Sequence, residues 1–225
     1  MGRRRLDQVF LPGTYVFPGG RVDPADKKVP FSTALNAGIA ADLLSGMSGR
    51  ASPERARALA FAAVRETFEE TGYVVGTPLS AQAPVTAVAH AWSGFFACGY
   101  APALEPLVYF ARAITPPGRP RRYDTRFFAV RRSAVEGPLR TGDGELEDIG
   151  WRTLDEVRLL KLPSVTRLVL EDFVRLLSLS AAAAQGAGRS EGGGGGIATG
   201  IPFYFQRKGV FQRVLLSRAP HVPGA

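Results

Sequence analysis

The fourteen residues "LAFAAVRETFEETG", 59–72, limit what this chain can fold into more than any other stretch. At about 100° per residue, Glu66, Glu69 and Glu70 fall in one stripe of a helix, while Phe61, Val64 and Phe68 fall on the opposite side. One face can therefore be buried, and the other gathers three carboxylates. The helix has a start in "SPE", with Ser52 as N-cap, Pro53 at the first position and Glu54 in the first turn. It has a stop in Gly72, which suits a left-handed C-cap. Glutamates at i, i+3 and i+4 repel by a few tenths of a kcal/mol per pair, a cost a solvated helix tolerates at about that level. Two readings follow: a solvated acidic face, or an oxygen-rich site for a hard cation such as Mg²⁺.

Composition bounds the alternatives. The chain of 225 residues, 45% hydrophobic and 21% charged, can bury a sizeable core. Its single cysteine, Cys98, rules out an intrachain disulfide framework, and no Cys/His cluster suggests zinc. That usage points to a reducing, cytoplasmic compartment. No apolar run reaches the roughly 18 residues of a membrane span, and "MGRRRLDQVF" makes a poor signal peptide. The net charge of +8 and pI near 10.1 favour polyanionic partners, or else reflect an arginine-rich composition.

The rest of the chain reads as strands, helices, strands and a helix, an α+β arrangement of the α/β/α sandwich kind. Residues 6–17 read as a strand and turn. "VPFSTALNAGIAADLLSGM" reads as a helix over 31–46, with Phe31, Leu35, Ile39 and Leu43 sharing a face. "YVV", "VTAVAHA", "LVYFARAI" and "TRFFAV" read as strands. "DIGWRTLDEVRLL" suggests a strand ending near Trp151 and then a short helix capped by Thr153. "SVTRLVLEDFVRLLSLS" is an amphipathic helix begun by Pro163 and Ser164. The domain spans 1–180, with 27–55 as an insertion, 181–200 as a glycine-rich mobile linker and 201–225 as a hairpin tail. His90 and Cys98 read as core residues.

"RETFEETGY" resembles the second half of the Nudix box, G-x5-E-x7-R-E-U-x-E-E-x-G-U. Arg65, Glu66, Glu69, Glu70 and Gly72 match it, with Thr67 and Tyr73 at the bulky aliphatic positions. The first half lies far upstream in "GTYVFPGGRVDPAD", where Gly20 is followed six positions later by Asp26 in place of the usual glutamate. Residues 27–64 then stand where the box has seven. Loop-closure entropy grows only by about 0.6 kcal/mol per doubling of length, so the two halves can still dock. The helical part of the insertion would then lie as a lid over the substrate mouth. Gly13, Phe17, Pro18, Gly19, Gly20, Asp23 and Asp26 resemble the coenzyme A diphosphatase branch, although Leu11 replaces that branch's usual histidine. The first core strand of the family is nearly over where this chain begins, so the expected mixed sheet has an incomplete first strand.

The resemblance implies hydrolysis of a nucleoside diphosphate derivative, coenzyme A or acyl-CoA among them, with Mg²⁺ or Mn²⁺. It implies that Glu69 and Glu70 bind the ion, with Glu66 binding a second ion or orienting water. The Gly19 carbonyl would complete the shell, and Arg65 would hold the glutamates. Gly20, Asp23 and Asp26 would meet substrate. Glu145, in "TGDGELEDIGW", is the candidate general base, with Glu147 as rival and a plain acidic turn as the bland reading. Arg122 and Arg126, with Arg121, would grip phosphates or form a solvated basic loop. The expected partner is a small molecule rather than a membrane; no RNA motif or basic–aromatic platform supports nucleic acid. A homodimer is compatible with the sequence. Three other readings stay open: a Nudix-fold binding module, an RNA-directed pyrophosphohydrolase, and a truncated inactive fragment.

Overall fold

The computed structural model describes residues 1–80, 89–119, 121–186 and 200–219. Two compact units divide the chain. The first holds Met1–Tyr109 and Phe128–Leu162, and the second holds Phe110–Phe127 and Pro163–Pro220.

Helix α2 (Pro53–Thr71) organises the first unit. Ser52 caps it by accepting from Arg55 N, and Gly72 closes it at φ +74°, with its N–H donating to the Phe68 carbonyl. No side chain fits at Gly72: a Cβ there would run into the Arg140 carbonyl. Phe61, Val64 and Phe68 are buried, as the helical period requires. Phe61 stacks edge-on against Trp92, which meets Phe95, and Phe95 meets Phe68. Each such ring pair adds about 0.5–1.5 kcal/mol to the area it buries.

Trp92, Phe95 and Phe96 come from α3 (His90–Ala97), which sequence patterning missed. The expected strand "VTAVAHA" falls largely on residues outside those described, and its last two residues open this helix. His90, expected in the core, is exposed at the helix start, and Cys98 is only half-buried at its end. Within residues 27–55, expected as an insertion, lies α1 (Ala37–Ser45), shorter than the predicted helix over 31–46. The side chain of Asn36 accepts from Gly38 N and Ile39 N, so the helix starts there and the preceding residues stay extended. Ser32 donates to the Pro102 carbonyl, and Thr33 bridges Ala103 in parallel. The segment is thus fastened down beside residues 102–105 rather than left as a free flap.

Two small sheets complete the unit. The three-residue β1 (Gly2–Arg4) lies between β2 (Tyr15–Val16) and β7 (Leu146–Glu147), antiparallel to both. The strand expected to reach Trp151 ends at Glu147, because Asp148 takes φ +48° and turns the chain. Trp151 is instead exposed, packed on Tyr73 and under the Arg132 guanidinium. Strands β3 (Gly76–Pro78) and β4 (Tyr100–Pro102) pair antiparallel. The "YVV" strand begins only after those residues, and Val74 makes a single bridge to Glu136. The short α4 (Leu154–Leu159) starts at Thr153, whose hydroxyl and the Glu156 carboxylate form a capping box.

The second unit is a four-stranded mixed sheet, ordered β6-β5-β8-β9, with helix α5 (Ser164–Gly186). Strands β5 (Val108–Ile114) and β6 (Asp124–Ala129) are the predicted apolar runs. The C-terminal hairpin joins β8 (Ile201–Arg207) to β9 (Val210–Leu216) through Lys208 and Gly209, both at positive φ, the twist a two-residue turn needs. β8 runs parallel to β5, so the hairpin supplies half of this sheet. Asp172 of α5 fastens it. The carboxylate accepts from Arg213 Nε at 2.8 Å and Nη2 at 2.9 Å, and from the Tyr204 hydroxyl. Burial works to raise the Asp172 pKa, but those two donors outweigh it and hold the carboxyl below its ordinary value. α5 runs six residues into the expected linker, through the alanines 181–184, the strongest helix formers. The rest of that linker, 187–199, lies outside the described residues.

Candidate active site

The acidic stripe of α2 is not a solvated face. The segment 17–26 lies across it, and the contact is made by backbone and by one buried ion-pair cluster. Gly20 is pressed against the Glu66 carboxylate so closely that a Cβ would overlap the carboxylate carbon. Gly19 N–H donates to Glu70 Oε2 at 2.9 Å. Glu70 is consequently 3% exposed.

Arg65 is the knot. Its Nε donates to Asp26 Oδ1 at 2.9 Å and its Nη2 to Asp26 Oδ2 at 3.2 Å, a bidentate pair. The same Nη2 donates to the Arg21 carbonyl at 2.7 Å. Nη1 reaches Glu69 Oε2 at 2.7 Å and Glu66 Oε1 at 3.0 Å. Burial disfavours the guanidinium charge, but Asp26, Glu66 and Glu69 more than offset it and hold the proton more tightly than usual.

Asp26 was expected to touch substrate; here it lies inside the ion-pair cluster. Its side chain is fully buried and accepts from Arg65 twice, from Trp92 Nε1 at 3.0 Å and from Asp23 N at 2.8 Å. Its side chain is thus turned to Arg65 and Trp92. Asp23 caps the short 3-10 turn Pro24–Lys27 by accepting from Ala25 N, a local structural task. Trp92 joins the aromatic core to the site, 66 residues away from Asp26 in the chain. Nothing in the local sequence marks that contact.

A second covering comes from residues 139–145. Leu139 N donates to the Gly72 carbonyl and Asp143 N to the Glu69 carbonyl at 2.8 Å, satisfying carbonyls at the helix end. The Arg140 guanidinium lies over the Phe68 ring at 4.9 Å. Gly142 sits where a Cβ would collide with the Glu70 carbonyl. The loop brings Asp143 and Glu145 into the field of the glutamates. Burial is the main cause that raises the Glu66 proton affinity, opposed by Arg65 and helped by Glu69 and Glu145. Burial likewise raises Glu69, against Arg65 and with Asp143. Glu70 is pushed up to about 8 by burial; Gly19 N–H opposes this, while Glu66, Glu145 and Asp143 add to it. Asp143 was missed in the sequence, although "GDGE" places it two residues from Glu145.

Among the described residues, no group of three or more His, Cys, Asp or Glu side chains is arranged closely enough to hold a metal ion. Arg65 Nη1 takes one oxygen of each of Glu66 and Glu69, and Gly19 N–H takes one of Glu70. Arg122 and Arg126 belong to the second unit. There Arg122 donates to the Thr115 carbonyl, and Arg126 pairs with Asp124 at 2.9 Å beside Arg112. Glu147 pairs with Arg3 across β1 and β7.

Neither a protein-family model nor a curated protein matches the chain. Among solved structures, it is similar to the crystal structure of a Nudix hydrolase from Alicyclobacillus acidocaldarius, with a TM-score of 0.51 and 27% identity. The match covers 76% of this chain and 80% of that one. The mixed α+β fold is thus of the Nudix hydrolase kind, and the likeness supports a place in the Nudix superfamily. Since that neighbour is a hydrolase, hydrolase activity is the suggestion it carries. No helix among the described residues is long and apolar enough to cross a membrane.

The contact at Gly20 makes one consequence measurable. Gly20→Ala protein should keep its thermal midpoint within a few degrees, because the clash is with the flexible end of Glu66 rather than with backbone. Any turnover that depends on Glu66 should nevertheless fall by about tenfold or more, as a displacement of its carboxylate by about an ångström allows. Scanning calorimetry together with steady-state rates would show the two effects apart.

Proposed function

We propose that this chain is a Mg²⁺- or Mn²⁺-dependent hydrolase of a pyrophosphate bond in a small nucleoside diphosphate derivative. The observation that carries the reading is the set of three carboxylates on one face of α2, Glu70 buried and Glu66 and Glu69 half-buried, with Gly19 bonded to Glu70 and Gly20 pressed on Glu66. Burial is the main cause that raises their proton affinities, and neighbouring carboxylates add to it. Carboxylate oxygens are the ligands a hard divalent cation takes, and to bind one here the three side chains would have to converge further than they do in this arrangement. Each glutamate uses one oxygen on Arg65 or Gly19, and the other is the oxygen a cation would take; the Gly19 carbonyl would join them. When bound, such an ion would supply charge neutralisation at the phosphates and activation of the attacking water.

The chain's own residues do the rest. Arg65 fixes the glutamates through charge-assisted bonds, and Asp26 fixes Arg65. Glu145 takes the proton of the attacking water as its oxygen bonds to one phosphorus and the bridging P–O bond breaks. Coenzyme A and acyl-CoA are the first substrates to try, on the strength of Gly13, Phe17, Pro18, Gly19, Gly20, Asp23 and Asp26. Asp26, being buried, supports that branch only through Arg65. A cytoplasmic location and a small-molecule partner belong to the same reading.

The test is Mg²⁺-dependent product release from coenzyme A, ADP-ribose, a nucleotide sugar, a dinucleoside polyphosphate and capped RNA. Turnover of a small diphosphate that EDTA abolishes is expected. Tight binding without turnover would replace the hydrolase with a binding module, and turnover of capped RNA alone would move the substrate class.

A further inference from the structure

We infer that Gln8, on the turn between β1 and β2, is a positioning residue for Glu145. The inference rests on the reading of Glu145 as the proton acceptor. Gln8 Nε2 donates to the Glu145 carbonyl at 2.9 Å across 137 residues of chain. The pairing of β1 with β7 brings the two together, since Arg4 lies opposite Leu146, the neighbour of Glu145.

The loop carrying Glu145 is held toward α2 before Glu145 and by the β1–β7 pairing after it. Asp143 N is bound to the Glu69 carbonyl at 2.8 Å, and Glu145 N is bound to Asp143 Oδ1 at 2.9 Å. Both anchors trace back to α2. Gln8 adds the side-chain hydrogen bond that fixes Glu145 itself, so this residue lies between anchors on the carboxylate helix and on the β1–β2 turn.

The other end of the same amide is consistent with this orientation. Gln8 Oε1 is buried and, among the described residues, accepts no hydrogen bond. Buried acceptors are rarely left unpaired, and a glutamine at a half-buried turn could rotate to relieve it. Turning the amide over would instead set Oε1 against the Glu145 carbonyl, acceptor against acceptor. The amide is oriented by Glu145 and bears the unpaired oxygen as the consequence.

The test uses Gln8→Met, which keeps the length and removes the donor, with coenzyme A or ADP-ribose and Mg²⁺. A loss of about tenfold in kcat is expected, with KM and the thermal midpoint nearly unchanged. The effect should vanish in a Glu145→Gln background, because two residues acting through one group are not additive. Amide hydrogen exchange in the protein without substrate should show Asp143 and Glu145 exchanging faster, with α2 unaffected. If Glu145→Gln abolishes turnover but Gln8→Met leaves kcat unchanged, the inference is overturned and the reading of Glu145 stands. Full turnover by Glu145→Gln overturns that reading and the inference together. Unchanged exchange at Asp143 and Glu145 in Gln8→Met overturns the anchoring even where no substrate is turned over.

Discussion

Asp26→Ala protein should lose about 3–5 kcal/mol of folding stability, the cost of leaving one member of a buried ion pair without its partner. Asp26 is fully buried, and Arg65 beside it is 5% exposed. Removing the carboxylate strands a guanidinium that cannot lose its proton and that lies under the 17–26 segment. Trp92 Nε1 and Asp23 N lose their acceptor as well. Glu66 and Glu69 still reach Nη1, which places the expected loss toward the lower end. Urea unfolding measures it, and a change under about 1 kcal/mol would mean the cluster is not what docks 17–26 onto α2. A companion variant separates fold from function. Asp26→Leu combined with Arg65→Met replaces the pair with apolar groups and should recover much of the stability, since buried pairs contribute little net. It should recover no activity, because nothing then holds Glu66 and Glu69.

That cluster also marks the limit of what the sequence showed. The period of 59–72, with Ser52 and Gly72 at its ends, was enough to define α2, its buried face and its acidic stripe. The apolar runs at β5 and β6 and the "RKG" turn of the hairpin were equally legible, because each is local. What was not legible depends on contacts between distant residues. Asp26 looks like a ligand-facing acid from its spacing after Gly20, and only the approach of Arg65 and Trp92 makes it a buried clamp. Gln8 carries no signal at all until β1 pairs with β7. Helix α3 is a different failure. Trp92, Phe95 and Phe96 do recur at helical spacing, but the β-branched residues just before them suggested a strand. The acidic stripe was readable as a pattern and misleading as a surface, since the glycines that cover it lie over forty residues upstream.

Glu70→Gln protein should fold normally and lose at least about a hundredfold in turnover, the scale seen when one preorganised electrostatic group is removed. The two halves of that expectation come from the same contact. Glutamine keeps an oxygen that can accept from Gly19 N–H, so the docking of the glycine turn on α2 survives. It also removes a carboxylate that burial has already made reluctant to ionise, so the metal-free fold gives up little with it. What it cannot keep is the negative charge a divalent ion requires. Addition of Mg²⁺ should therefore raise the thermal midpoint of the unsubstituted protein more than that of Glu70→Gln, by ligand linkage to the folded state. Glu69→Gln differs in kind, because Glu69 also pairs with Arg65; it should lose both turnover and part of the ion-pair cluster. If Glu70→Gln turns over at full rate and Mg²⁺ shifts both proteins equally, the carboxylates of α2 are a structural knot around Arg65 and the chemistry lies elsewhere.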